Sequence, residues 1–211
     1  MLKIAHRVAS AQRAGDDRVA ILHAPGTDVL IVADGSGGTS GAAEAAERAI
    51  RELAAAINAT SVSEPAPWSA MLHRADVTMA GGRGQCALAL VAISGAQVTG
   101  ASVGDCCAWL LHDGAIEDLT ERQVRKPLLG SGRALPVEFA GTLARSTLLV
   151  ASDGLWKYGR RERIAAIACA PDLQVAVRDL VDLPRLLSGQ LPDDIAVVLC
   201  RERHATLESV T

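Results

Sequence analysis

Aromatic residues are scarce in this sequence of 211 residues, which contains three tryptophans, one tyrosine and one phenylalanine. Proteins that bind single-stranded nucleic acids stack bases on exposed aromatic rings, and nucleic-acid binding in general calls for a basic surface. A formal net charge of −3 gives no indication of such a surface. The composition therefore argues against a nucleic-acid partner and predicts a core built from Val, Leu, Ile and Ala.

The sequence also lacks an apolar run of the ~18 residues that a membrane-spanning helix needs, and its first residues show no secretory signal. Its five cysteines are odd in number and show no Cys-X-X-Cys spacing: Cys86, Cys106, Cys107, Cys169 and Cys200. This pattern is typical of small buried side chains in a reducing compartment, and not of a disulfide framework or a zinc site. We therefore expect a cytoplasmic protein that makes no contact with a membrane.

Strand and helix patterns occur in blocks along the chain. The predicted strands are Val19–Leu22, Asp28–Ala33, Cys86–Ile93, Gln97–Val103, Cys107–Leu111, Leu135–Phe139, Thr147–Ala151 and Ile195–Arg201. Two amphipathic helices are predicted from Ser40, as the N-cap, to Asn58 and from about Pro65 to Met79, and helical periodicity returns between Arg161 and Leu187.

This order of elements, with short turns between most strands, indicates antiparallel sheets and not a parallel winding. Continuous apolar strands need cover on both faces, which two packed sheets and two outer helix layers would provide. The predicted fold class is therefore α+β, a four-layer α-β-β-α sandwich of two mainly antiparallel sheets flanked by helices. Residues 1–201 are expected to form a single domain, and residues 202–211 a loose C-terminal tail.

Two segments of similar sequence, Leu30–Gly35 and Leu149–Gly154, each run through a predicted strand to an Asp-Gly step. A third such carboxylate lies near the C-terminus, where Asp193 and Asp194 precede the last predicted strand. A single aspartate before glycine is most often a turn former. Several aspartates at strand ends, without a cluster of His or Cys, favour an all-oxygen site for hard divalent cations.

Four motifs occur in a fixed order: Val32–Gly38, Ser102–Asp105, Ala151–Trp156 and Asp193–Val198. With these motifs the chain resembles the metal-dependent protein serine/threonine phosphatases of the PPM type (type 2C), in a compact bacterial form, from about Gly15 to Leu199. The resemblance implies the same α-β-β-α sandwich. It also implies a phosphoprotein substrate, from which phosphoserine and phosphothreonine would be hydrolysed.

The resemblance assigns the catalytic metal site to four residues. It implies that Asp34 bridges two Mn²⁺ or Mg²⁺ ions, that the backbone carbonyl of Gly35 ligates one of them, and that Asp153 and Asp193 hold the second. Two such ions can share a water, lower its pKa and neutralise the phosphate during in-line attack. No protein nucleophile is required by this chemistry.

Further roles follow from the same resemblance. Asp105 matches a residue that helps to bind a third, weaker metal in bacterial relatives, and Asp16 and Asp17 match an acidic pair that contacts metal-bound waters. Turn formation is the alternative for all three residues. The family's phosphate-binding arginine lies a few residues before the acidic pair, and Arg13 is the nearest candidate, although it lies one residue too close.

The chain departs from the family pattern at several positions. Ser36 stands where many relatives have His or Met, so a histidine general acid is absent from that position. Relatives often insert a mobile flap before the third motif, and the short basic stretch Glu121–Arg133 stands in its place. We favour a solvated loop over a phosphopeptide contact for this stretch.

Three functions remain open at this point. The first is an active protein phosphatase, including a small bacterial regulator that dephosphorylates an anti-anti-sigma-type partner. The second is a catalytically weak or inactive pseudophosphatase that serves as a regulatory protein-binding module, although the retained Asp34, Asp153 and Asp193 argue against it. An unrelated acidic-site hydrolase such as a nuclease is disfavoured by the negative charge and the scarce aromatics.

Overall fold

A computed structural model describes residues 1–36, 41–59 and 67–202. The strands are β1 (Leu2–Ala9), β2 (Arg18–Ala24), β3 (Thr27–Ser36), β4 (Gln85–Ser94), β5 (Gln97–Val103), β6 (Cys107–His112), β7 (Ala115–Asp118), β8 (Val137–Thr142), β9 (Thr147–Ala151) and β10 (Ile195–Glu202). The helices are α1 (Ala42–Ala59), α2 (Trp68–Met79), α3 (Asp153–Trp156), α4 (Arg161–Ala168) and α5 (Leu173–Asp182).

The strands form two five-stranded sheets in which the paired strands run antiparallel. The first sheet has the order β1-β10-β9-β6-β7, and the second has the order β2-β3-β4-β5-β8. Helices α1 and α2 pack on the second sheet, and α4 and α5 pack on the first. The predicted α+β sandwich of four layers is confirmed.

The four layers explain why the central strands are continuously apolar. Alternate residues of β3, namely Val29, Ile31 and Ala33, pack against α1 and α2. The residues between them, Leu30 and Val32, pack against the first sheet. Because a strand presents successive side chains to opposite faces, a strand that is covered on both faces needs apolar residues at every position.

Three short or exposed elements were missed by the pattern of the sequence. Strand β1 pairs with β10 at the edge of the first sheet, and of its eight residues Ala5 alone is fully buried. Strand β7 is an edge strand of four residues, and α3 is a single helical turn. Edge strands bury few side chains, so polar residues are tolerated there and the strand pattern is weak.

Some predicted boundaries lie outside the described residues: the N-cap Ser40, the helix start at Pro65, Gly37 and Gly38 of the first motif, and the tail after Glu202. Glu202 itself belongs to β10, so the strand extends one residue into the predicted tail. The strand predicted at Leu135–Phe139 begins and ends later, at Val137 and Thr142.

All five cysteines are free, and the sequence prediction of small buried side chains is confirmed for four of them. Cys169, which directly follows α4, is exposed, so the prediction is wrong for that residue. Among the helices of the described ranges, none combines the length and the apolar character that a membrane span requires.

Candidate metal centre

Four aspartates from four segments meet at one end of the sandwich. Asp34 lies near the end of β3 and Asp105 follows β5, both in the second sheet. Asp153 directly follows Ser152 after β9, and Asp193 precedes β10, both in the first sheet. The four carboxylates line a cleft of about 640 Å³, together with Gly35, Ser36, Ala87, Arg125, Lys126 and Leu128.

Three of these carboxylates form a compact cluster. Asp34, Asp105 and Asp153 each offer an oxygen atom, and these atoms lie within 4.8 Å of one another. A hard cation takes oxygen ligands at roughly 2.0–2.6 Å, so oxygens on opposite sides of it lie up to roughly twice that far apart. The separation and the all-oxygen donor set therefore fit a divalent cation.

The electrostatic surroundings of Asp34 also favour a bound divalent cation. Burial raises the pKa of Asp34 to about 9, and the negative charges of Asp17, Asp153, Asp105 and Asp193 add to the increase. A carboxyl group in this position resists ionisation at neutral pH unless a cation lies beside it. A bound divalent cation would supply that positive charge and lower the pKa of Asp34.

Asp153 has positively charged neighbours as well as negative ones. Burial and the charge of Asp105 raise its pKa, and Lys157 and Arg125 partly offset that increase. The Nζ of Lys157 lies 3.7 Å from a carboxylate oxygen of Asp153 and 3.8 Å from one of Asp193. The positively charged side chains of Lys157 and Arg125 therefore neutralise part of the negative charge of the carboxylate cluster.

The glycines of the two Asp-Gly steps are required by close packing. A Cβ at Gly35 would overlap the backbone carbonyl of Ala42 in α1, and a Cβ at Gly154 would overlap the backbone carbonyl of Asp194. Gly154 thus lets the segment before β10 approach the start of α3. This approach places Asp193 beside Asp153, which explains the glycine in the third motif.

The two members of the predicted acidic pair lie in different surroundings. Asp17, which directly precedes β2, is 2% exposed and accepts a hydrogen bond of 2.5 Å from Oγ of Ser152. Its burial raises its pKa to about 7, an increase that the hydrogen bond from Ser152 reduces, and its charge acts on Asp34. The carboxylate of Asp16 does not line the cleft, and its backbone N–H donates to Asp194.

The adjacent residues Asp193 and Asp194 also lie in different surroundings, one at the cleft and the other against the loop between β1 and β2. The side chain of Asp193 is 44% exposed and lines the cleft. The carboxylate of Asp194 points to the loop between β1 and β2, where it accepts hydrogen bonds from the backbone N–H groups of Ala11 at 2.7 Å and Asp16 at 2.5 Å. Sequence reasoning singled out Asp193, and the anchoring role of Asp194 was missed because it depends on a loop about 180 residues away in the chain.

Arg13 lies in the exposed loop between β1 and β2 and is not among the residues that line the cleft. Within the described ranges it forms neither a hydrogen bond nor an ion pair. Its predicted role in phosphate binding therefore stays a prediction.

Three cationic residues that the sequence analysis did not assign to the site lie beside the carboxylates. Arg125 and Lys126 line the cleft, and Arg125 forms an ion pair of 3.2 Å with Asp105. Both side chains are exposed, so the preference for a solvated loop over a phosphopeptide contact at Glu121–Arg133 stays a prediction. The position of Lys157, four residues after Asp153, was the signal that could have placed its ammonium group there.

No family model matches this sequence, and no curated protein sequence matches it. Solved structures do match. The S. agalactiae serine/threonine phosphatase gives a TM-score of 0.84 at 19% identity, over 96% of this chain and 100% of that one. Serine/threonine phosphatase Stp1 from Staphylococcus aureus gives 0.83 at 17% identity, over 96% of each chain.

A third structure bears on the metal. The catalytic domain of the serine/threonine protein phosphatase PstP, in complex with two manganese ions, gives a TM-score of 0.75 at 21% identity, over 95% of this chain and 97% of that one. The chain thus has the fold of these phosphatases over almost its whole length. This likeness confirms the sandwich that the motifs led us to expect.

Proposed function

We propose that this protein is a metal-dependent protein phosphatase that hydrolyses phosphoserine and phosphothreonine on a partner protein. The observation that carries the proposal is the cluster of Asp34, Asp105 and Asp153, whose oxygens lie within 4.8 Å of one another. The cluster lies in a cleft of a fold shared with bacterial serine/threonine phosphatases.

The donor set would hold two Mn²⁺ or Mg²⁺ ions. Asp34 and Gly35 would bind the first ion, Asp34, Asp153 and Asp193 the second, and Asp105 a third and weaker one. Asp16 and Asp17 would contact waters around the ions. When bound, the cations would supply a water of lowered pKa and positive charge opposite the phosphate.

The cysteines near the site do not support a cysteine nucleophile. Cysteine-dependent chemistry needs a thiolate, which requires a lowered pKa. Burial raises the pKa of Cys86 to about 12, and burial with the charge of Asp34 raises the pKa of Cys106 as well. Both thiols stay protonated near neutral pH, so the carboxylates are the groups of the cleft that suit phosphate ester hydrolysis.

The decisive experiment is hydrolysis of an aryl phosphate and of a phosphoserine or phosphothreonine peptide with and without Mn²⁺. We expect EDTA to abolish turnover and added Mn²⁺ to restore it. Ca²⁺ should support turnover poorly, because it prefers longer bonds and more ligands. Turnover that survives thorough chelation would contradict the metal-dependent mechanism.

A second candidate function is a protein-binding module without catalysis. One observation favours it: Arg125 and Lys157 already pair with the carboxylates of Asp105, Asp153 and Asp193. These pairs are partly exposed, and exposed pairs contribute only about 0–1 kcal/mol, so a divalent cation can displace them. A protein that binds Mn²⁺ and hydrolyses no phosphoester would support the module.

A further inference from the structure

A short segment, residues 124–134, runs beside the mouth of the cleft, and we call it the strap. Its first part is anchored where the backbone N–H of Gly104 donates to the carbonyl of Val124 at 3.2 Å. Leu129 exchanges two backbone hydrogen bonds of 3.0 Å with Cys86, and Leu128 is buried. The strap is therefore held on both sides of Arg125 and Lys126.

The second part of the strap is anchored by a buried carboxylate. Asp76 of α2 is 0% exposed, and it accepts hydrogen bonds from the backbone N–H groups of Gly130 at 2.7 Å, Gly132 at 3.0 Å and Ala134 at 2.8 Å. Hydrogen bonds to a buried charged group are among the stronger ones in proteins. This anchoring gives Arg125 and Lys126 a defined position at the cleft.

The guanidinium of Arg125 is exposed and weakly held. Its side chain is 66% exposed, its ion pair with Asp105 is 3.2 Å long, and its Cζ lies 5.8 Å from the centre of the Trp156 ring. The indole N–H of Trp156 donates in turn to the backbone carbonyl of Asp105 at 3.1 Å. The ring therefore keeps the guanidinium near the cleft, while an exposed ion pair is easily exchanged for another partner.

Phosphate is the partner that the chemistry of the cleft favours. Once cations neutralise the carboxylate of Asp105, the attraction that holds Arg125 there weakens. A guanidinium presents two parallel N–H donors that match the oxygens of a phosphate. Arg13, in contrast, is exposed on a loop that does not line the cleft.

We propose that Arg125, assisted by Lys126, binds the phosphate group of the substrate, in place of the arginine expected at Arg13. The inference rests on the proposed function, because it names the group that recognises the phosphorylated side chain. The strap then acts as the phosphate-recognition element of a chain that has no long flap before its third motif.

The test uses the Mn²⁺-loaded protein and two readouts. The first is the Kd of inorganic phosphate, measured by calorimetry without turnover, and the second is the KM for a phosphopeptide. Because a hydrogen bond to a charged group contributes strongly to binding, Arg125→Ala should raise the phosphate Kd and the phosphopeptide KM by about 10-fold or more. Arg125→Lys should recover part of the loss, and Lys126→Ala should raise the phosphate Kd and the KM by a smaller factor than Arg125→Ala. The Kd of Mn²⁺ should not rise in these variants.

Arg122→Ala is the matched control, because Arg122 is an exposed arginine three residues before Arg125 that does not line the cleft. Its phosphate Kd and KM should equal those of the wild type. An unchanged phosphate Kd in Arg125→Ala would overturn the inference, as would a wild-type Mn²⁺-loaded protein that binds no phosphate. A larger loss in Arg13→Ala than in Arg125→Ala would also overturn it and return the role to Arg13.

The two proposals fail in distinguishable ways. A wild-type protein that binds phosphate through Arg125 and hydrolyses no phosphoester would contradict the phosphatase function and support the assignment of Arg125. A wild-type protein that hydrolyses the phosphopeptide with the same KM as Arg125→Ala would support the function and contradict the assignment.

Discussion

Oγ of Ser152 donates a hydrogen bond of 2.5 Å to the buried carboxylate of Asp17. Ser152 follows β9 of the first sheet, whereas Asp17 precedes β2 of the second. The same hydroxyl accepts a hydrogen bond of 2.8 Å from the backbone N–H of Ala196 in β10. One serine side chain therefore joins the two sheets next to the carboxylate cluster.

Ser152→Ala should destabilise the protein, because it leaves the buried carboxylate of Asp17 without its donor. We expect a loss of about 1–3 kcal/mol in the free energy of unfolding at pH 9, measured by urea denaturation without metal. The loss should be smaller at pH 5, since the pKa of Asp17 is raised to about 7 and the group is then uncharged. The same loss at both pH values would contradict the assigned hydrogen bond.

Ser94→Ala is the control for this variant. The Ser94 hydroxyl donates to the carbonyl of Gly26 at an exposed turn. Its removal should change the free energy of unfolding by about 0.5 kcal/mol or less at either pH, as is usual for surface substitutions.

Without metal, the stability of the protein should decrease as the pH rises from about 4 to about 9. The pKa values of Asp34 and Asp17 are raised from 3.8 to about 9 and about 7. At a pH between the ordinary pKa of 3.8 and these raised pKa values, the folded state binds more protons than the unfolded state. The free energy of unfolding therefore falls as the pH rises through this range. Thermal unfolding at pH 5, 7 and 9 in the presence of EDTA measures this slope.

Mn²⁺ should reverse this decrease of stability with rising pH, because metal binding to ionised carboxylates releases protons and becomes tighter as the pH rises. The increase in Tm produced by Mn²⁺ should therefore be larger at pH 8 than at pH 6. Asp34→Asn should flatten the metal-free slope, since it removes the group with the most strongly raised carboxyl pKa. If the slope were unchanged in Asp34→Asn, titration of Asp34 could not be its cause.

Asp34→Asn, Asp153→Asn and Asp193→Asn should each lower kcat/KM by at least ~100-fold, or about 2.7 kcal/mol of transition-state stabilisation. Each change removes a charged metal ligand and preserves the volume of the side chain. In contrast, metal-free Asp34→Asn should be as stable as the wild type or more stable at pH 7, because clustered carboxylates repel one another. Asp179→Asn, whose carboxylate pairs with Arg178 on α5, should leave kcat/KM unchanged. Wild-type turnover in all three variants would show that the site is assigned wrongly.

Adjacent aspartates should give opposite results. Asp194→Ala leaves the backbone N–H groups of Ala11 and Asp16 without their acceptor, so the free energy of unfolding should fall by about 1–3 kcal/mol. Asp193→Ala should weaken Mn²⁺ binding, measured by calorimetry, with little loss of metal-free stability. If both variants lost stability equally and bound Mn²⁺ equally, the assignment of loop anchoring to Asp194 and of metal binding to Asp193 would be refuted.

Asp76→Ala should be strongly destabilising, because three N–H groups of the strap, two of them buried, lose their acceptor. Each unsatisfied buried donor costs about 1–3 kcal/mol, so the protein should lose at least that much in free energy of unfolding. Asp76→Asn keeps one acceptor oxygen and should lose less. His73→Ala, on the exposed face of the same helix, is the control and should be close to neutral. Equal stability of Asp76→Ala and wild type would contradict the anchoring of the strap.

The sequence by itself determined the layers and the carboxylates. Continuous apolar strands such as Leu88–Ile93 occur where both faces of a strand are covered, so composition and spacing were sufficient to predict a sandwich. Asp34, Asp105, Asp153 and Asp193 all lie next to strand ends within local motifs, and the structure brings all four to one cleft. Local patterns are informative for these residues because a strand end fixes the position of the residue beside it.

Only the tertiary structure decided which groups surround these carboxylates. Ser152 and Asp17 are 135 residues apart, and Asp76 and Gly130 are 54 residues apart, so no local pattern connects them. Arg125 lies in a stretch whose polar sequence is typical of a solvated loop, yet buried anchors on both sides hold it at the cleft. The sequence specifies strand ends through local chemistry, whereas hydrogen bonds between distant segments exist only once the two sheets are packed together.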